Sequence, residues 1–166
     1  MDVRYAVTFT SPSRSRVIST MWNAGDALSI QSRIARLRPD RRRVWGQMTA
    51  PRVVCHLADS LKLALGELHA RPMNVPVRFP VLKQVVVYWA PFPRNAPTAP
   101  EVVARAPGDW RADVAELQRL VEELCARGAD PDAVWPVHPA FHRLSRRAWG
   151  VHTYRHMDHH LRQFGV

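Results

Sequence analysis

Apolar positions recur along this chain mostly with helical rather than strand periodicity. Ala27, Ile30, Ile34 and Leu37 stand at i, i+3, i+7 and i+10, which gathers them on one face of a helix. Asp26 precedes them as an N-cap and Pro39 stops the run. Thr49-Ala50-Pro51 is a second start signal, a hydroxyl cap with proline in the first turn. Val53, Val54, Leu57, Leu61, Ala64 and Leu68 carry that helix to about His69, before Arg71-Pro72. Further on, Asp109 caps a helix with the stripe Val114, Leu117, Val121 and Leu124, and Gly128 is placed just past its end. Ser145 caps the last helix, which Gly165 ends.

Between these segments the pattern is weaker. Val85-Val86-Val87-Tyr88-Trp89 has strand-like composition but lacks a hairpin partner, so periodicity leaves strand and helix open over Val81–Trp89. The proline-rich stretch from Pro91 to Pro107 reads as an irregular crossover, and residues 129–144, with Pro131, Pro136 and Pro139, as a loop. Residues 1–25 show no clear period and read as a flexible extension ahead of a domain over 26–166. Four or five helices with long loops and no convincing strand pair give an all-α bundle.

Composition adds limits rather than detail. At 166 residues the chain is one domain with an extension, long enough to bury roughly 70% of its unfolded surface without help from a disulfide. The two cysteines, Cys55 and Cys125, form no framework, and no apolar run approaches a membrane span. The N-terminus has no continuous apolar region of a secretory signal, so the expectation is a cytoplasmic protein with no membrane partner. The net charge of +10 comes almost entirely from arginine, six of them between Arg33 and Arg43. That permits a polyanionic partner, although no helix-turn-helix or aromatic RNA-reading motif accompanies it, and nucleic acid is disfavoured.

The candidate chemistry lies in the histidines. On the last helix Trp149, Thr153, His156, His160 and Phe164 form one stripe, broadened by Met157 and Leu161, with His159 on its flank. Two imidazoles therefore occupy core-facing positions, where an unpartnered polar group costs on the order of 1–3 kcal/mol. At i, i+4 their rings lie side by side, the arrangement by which H-x-x-x-H grips a metal ion. Taken alone, the pair fits a metal site and a pair of satisfied core histidines equally. Catalytic sites of this kind use three protein ligands, and His56, at the edge of the second helix's apolar stripe, is the natural third. Asp59 and Gln163 could hold or orient the ligands from outside them. His69, His138, His142 and His152 lie near loops, near helix ends or outside the pair. Cys55, about 100° round the helix from His56, reads as a buried structural thiol.

Several separated motifs keep their order: Trp45-Gly46-Gln47-Met48-Thr49, Cys55-His56-Leu57-Ala58-Asp59-Ser60, Pro97-Thr98-Ala99-Pro100, His138-Pro139-Ala140-Phe141, Trp149-Gly150, and H-x-x-H-H-x-x-Q-F-G from His156 to Gly165. With them, residues 27–165 resemble the DinB-like (damage-inducible) metalloprotein superfamily, within a domain-of-unknown-function branch. His142 departs from the pattern, which has a small residue such as glycine there. The resemblance implies an up-down-down-up four-helix bundle and favours helix over Val81–Trp89. It implies a zinc or nickel ion held by His56, His156 and His160, the trailing polar residue being Gln163. It further implies a metal-dependent enzyme acting on a small molecule, either a transferase using a low-molecular-weight thiol or a metal-assisted hydrolase. A homodimer is the assembly expected. The alternative is a non-catalytic, metal-stabilised bundle that binds an acidic partner through Arg33–Arg43.

Overall fold

A computed structural model of the chain describes residues 18–94 and 97–166. Among them are five α-helices: α1 (Ala24–Ala35), α2 (Ala50–Leu65), α3 (Pro80–Tyr88), α4 (Trp110–Ala129) and α5 (Arg146–Arg162). No strand occurs among the described residues; the nearest approach is one isolated antiparallel bridge between His138 and His142. The protein is an all-α bundle.

The direction of each helix follows from who meets whom at its ends. Met21, just ahead of α1, receives a hydrogen bond from Cys125 late in α4, while Gln31 reaches the Gln118 carbonyl about two turns earlier, so α1 and α4 are antiparallel. Trp22 donates to the Arg146 carbonyl at the start of α5 and Arg33 pairs with Asp158 near its end, so α1 and α5 run together. Cys55 touches Asp113 and the Leu65 carbonyl receives Arg127, which makes α2 parallel to α4. The order is up-down-down-up, with α3 laid on the outside against α5. Ile30 and Ile34, Leu57 and Leu61, Leu117 and Leu124, and Met157, Leu161 and Phe164 fill the centre, so the apolar stripes read from spacing are the core faces.

Helix ends account for most departures from the sequence expectations. Asn23, not Asp26, caps α1: its Oδ1 accepts from the Asp26 N–H at 3.0 Å, and Asp26 accepts instead from Thr20 N–H. Asp109 and Ser145 cap as expected, while Thr49 occupies its cap position without a side-chain bond. α2 stops at Leu65 rather than near His69. Gly66 adopts φ 80°, turning the chain back so that the N–H groups of Glu67 and Leu68 both reach the Lys62 carbonyl and Leu68 folds onto the core.

Gly128 is not past the end of α4 but inside it, and the reason is Trp22. A Cβ at Gly128 would lie 2.2 Å from the indole, and one at Gly150 would lie 2.4 Å from its Nε1. The indole is thus clamped between two helices at their only side-chain-free positions in reach. Met21, within the stretch expected to be an extension, is fully buried and its N–H donates to the Gly150 carbonyl. Of the extension expected over 1–25, residues 1–17 lie outside those described.

The candidate metal centre

Three imidazoles from two helices converge where α2 faces the C-terminal half of α5. His156 Nε2 stands 3.1 Å from His56 Nε2 and 3.1 Å from His160 Nε2, and all three atoms lie within 4.8 Å of one another. Among the described residues this is the one group of three or more metal-ligating side chains so arranged. The i, i+4 spacing on α5 supplies two rings a turn apart, and the antiparallel α2 brings the third from a hundred residues away.

The far side of each outer ring fixes which nitrogen is free. His56 Nδ1 donates to the Val102 carbonyl at 3.0 Å, and His160 Nδ1 to Gln163 Oε1 at 3.2 Å. Both acceptors are oxygens, so in each ring the hydrogen is on Nδ1 and a lone pair on Nε2 points inward. His156 can place one hydrogen in the gap at most, which leaves one 3.1 Å N···N contact with two lone pairs and nothing between them. A tetrahedral ion with bonds of about 2.05 Å separates its ligand atoms by about 3.3 Å, close to the two 3.1 Å separations that His156 makes. The donor set is one that zinc and nickel accept.

Electrostatics keep the rings neutral, the state a ligand needs. Burial pushes His56 below its ordinary value, and the Val102 bond only partly opposes it. Burial and the neighbouring imidazoles of His160 and His56 hold His156 well below, and burial with His56 alongside lowers His160 to about 3. The supports behind the rings come from distant segments. Val102 belongs to a 3-10 turn, Pro100–Val102, that the crossover tucks against α2. Gln163 is packed against Gly46, which adopts φ 88°; a Cβ there would meet the Gln163 amide at 3.0 Å. The Trp45-Gly46 pair thus leaves room for the side chain that orients His160.

Asp59 does something else. Its buried carboxylate accepts from Arg105 Nε at 3.1 Å, and Arg105 also reaches Asp113 and Glu116, tying α2, the crossover and α4 together. Its influence on His56 is through charge, and the hydrogen-bonded partner of that ring is the Val102 carbonyl. Cys55 Sγ turns to Asp113 at 3.6 Å, and burial raises its pKa, in keeping with a structural thiol.

Other residues near the centre were not singled out by spacing. His152 stacks on His156 with ring centroids 5.8 Å apart and 12° between planes. Its place four residues before His156 was a usable signal. Phe92 packs edge-on against His152, His156 and His159, closing one side with a residue from the crossover that has no periodic context. Trp45 meets His159 at 4.9 Å, and the exposed Arg94 lies over the Trp45 ring. His138 and His142 belong to the loop before α5. His142 adopts φ 60°, the left-handed conformation that explains why glycine is expected there. His69 stands beyond the end of α2.

No curated protein and no solved structure matches the chain. A family model matches residues 21–165, starting where Met21, the first buried one of the described residues, enters the core. The chain therefore belongs to the family described as protein of unknown function (DUF1569).

Proposed function

We propose that the protein is a divalent-metal-dependent enzyme of the DinB-like superfamily, with zinc or nickel held by His56, His156 and His160. One observation carries this reading: three Nε2 atoms converge with too few hydrogens to separate them. The bundle order and the Gln163 contact behind His160 agree with it. An ion held by these three residues would supply Lewis acidity, lowering the pKa of a water or thiol brought to it.

The chain's own residues supply orientation and shelter. Val102 and Gln163 hold two ligand rings, and Phe92 and the stacked His152 wall the site against water. Arg94, over Trp45 at the edge of the same aromatic group, is a guanidinium placed to meet a carboxylate on an incoming small molecule. Thiol-dependent group transfer is the first reaction class to assay and metal-assisted hydrolysis the second. The two free cysteines fit a reducing cytoplasm.

Metal analysis of purified protein tests the reading. About one zinc or nickel per chain is expected, and His156→Ala should lose it. Metal-free protein that also fails to take up either ion, or unchanged metal content in His156→Ala, overturns the site. A non-catalytic bundle binding an acidic partner through Arg33–Arg43 is less well supported. Arg33 is committed to Asp158 and Val166, and Arg41 to the Phe164 carbonyl, so both serve the end of α5.

A further inference from the structure

α3 is the anomaly of the surface. Five of its large apolar side chains or their immediate neighbours point outward: Phe79, Val81 and Trp89 are 70%, 78% and 72% exposed, with Leu82 and Val85 between them. Val81, Val85 and Trp89 follow one another a turn apart, and Leu82 widens the same side, so the four fall within about 100° of arc. Only Val87 is buried inward, and three backbone carbonyls at the end of the helix, Val86, Val87 and Ala90, accept from Arg155 of α5. The inner side of the helix is held by Val87, with Val86 and Tyr88 partly buried against the core, while Val81, Leu82, Val85 and Trp89 are left to solvent. A contiguous exposed stripe of this kind marks a binding surface.

Its surroundings select the partner. Between Glu67 and Glu101 the chain has no acidic residue but carries Arg71, Arg78, Lys83 and Arg94. Arg143 and Arg147 stand beside the helix, one giving its carbonyl to Lys83 and the other lying over Tyr88. The ion pairs among the described residues involve other basic side chains, so Arg78, Lys83, Arg143 and Arg147 bring net positive charge to the stripe. A second copy would oppose basic charge to basic charge in a chain already at +10. The face carries Val81, Leu82 and Val85 with Trp89 at its C-terminal end, and Phe79 is exposed just ahead of the helix. An exposed apolar face with a basic border suits a deformable anionic sheet, whose headgroup level favours tryptophan.

We propose that the outward face of α3 seats the protein on an anionic lipid bilayer. The expectation of no membrane partner rested on the lack of a spanning segment, and no helix among the described residues is long and apolar enough to cross a membrane. Seating on a surface requires none. The helix is joined to Phe92 by three residues, so the docked face lies next to the wall of the histidine site.

Flotation of the full chain, metal-loaded as purified, with phosphatidylcholine vesicles or vesicles containing 30% phosphatidylglycerol tests this. Binding should be at least tenfold stronger to the anionic vesicles and should fall between 50 and 500 mM salt. Val81→Asp and Val85→Asp should each weaken it at least tenfold while helical signal and metal content stay unchanged. Should either variant fold poorly, quenching by brominated anionic lipid, lost in Trp89→Phe, reads the same contact in an intact core. Three results overturn the proposal: no binding to anionic vesicles, equal binding to neutral ones, or a wild-type dimer at micromolar concentration that Val81→Asp converts to monomer. None of these bears on the metal site, whose occupancy is measured separately.

Discussion

His138 shows how much a single imidazole can be constrained without any ligand. Its Nδ1 accepts two backbone N–H groups, from Ala140 at 3.1 Å and Phe141 at 3.2 Å, so that nitrogen must carry a lone pair. Burial, with His152 nearby, holds its pKa well below 6.5. The unfolded chain therefore binds a proton there that the folded chain refuses, and stability is lost as pH falls from about 6.5 towards the folded value. Chemical denaturation from pH 7.5 to 5 should show a smaller loss in His138→Asn, which keeps an acceptor but cannot titrate. Four residues on, His142 keeps φ 60° with its side chain exposed. His142→Gly removes that strain at some cost in chain entropy, and a net gain of about 0.5–1 kcal/mol is expected in a thermal melt. Gln163 is tested by Gln163→Leu, similar in size but unable to hold His160 Nδ1. Metal affinity should fall about 10–100-fold in a competition titration, with the fold intact.

At the scale of elements, the clamp on Trp22 sets opposite effects against each other. Glycine in a helix costs about 1 kcal/mol relative to alanine, so Gly128→Ala and Gly150→Ala would each stabilise an isolated helix. Here the added carbon would meet an indole whose Nε1 is bonded to the Arg146 carbonyl at 2.9 Å and which cannot simply swing away. Overpacking of this kind costs about 1–3 kcal/mol and should exceed the propensity gain, lowering the melting temperature of both variants. The four bundle helices were legible because their stripes face one core, whereas α3, which turns most of its apolar side chains outward, left strand and helix undecided by periodicity. The ends of the four were less legible. Gly128 offers the same signal whether it terminates a helix or admits a ring from another segment, and only the packed partner distinguishes the two. Asp26 and Asn23 are both good caps three residues apart, and the choice falls to Asn23 because Thr20 engages Asp26.

For the whole molecule, the histidine site is the junction of segments that share no sequence neighbourhood. The three ring positions could be read because the i, i+4 spacing on α5 is local and His56 sits on an apolar stripe. Phe92 and Val102 could not, since the crossover that carries them has no period and its path is set by packing. Asp59 had the right position in sequence and an ion-pairing partner that spacing does not reveal, Arg105, 46 residues away. If the bundle binds its ion only when folded, metal at a hundredfold excess over Kd adds about 2.7 kcal/mol to stability. Chelation should then lower the melting temperature by roughly 5–10 °C in wild type and leave His156→Ala unmoved.

The two supports behind the His56 and His160 rings differ in what mutation can do to them. Gln163 acts through a side chain, and any codon change that loses its amide loses the bond. Val102 acts through its carbonyl, which every residue possesses, so the anchor of His56 survives substitution at that site provided the turn keeps its path. Val102→Ala should weaken packing in the core yet leave metal affinity near wild type. Its 3-10 turn opens on Pro100, and the sensitivity passes to that neighbour and to the length of the crossover. Half of the site is thus inherited as a path of the backbone rather than as a residue, and comparison of side chains at position 102 would miss it.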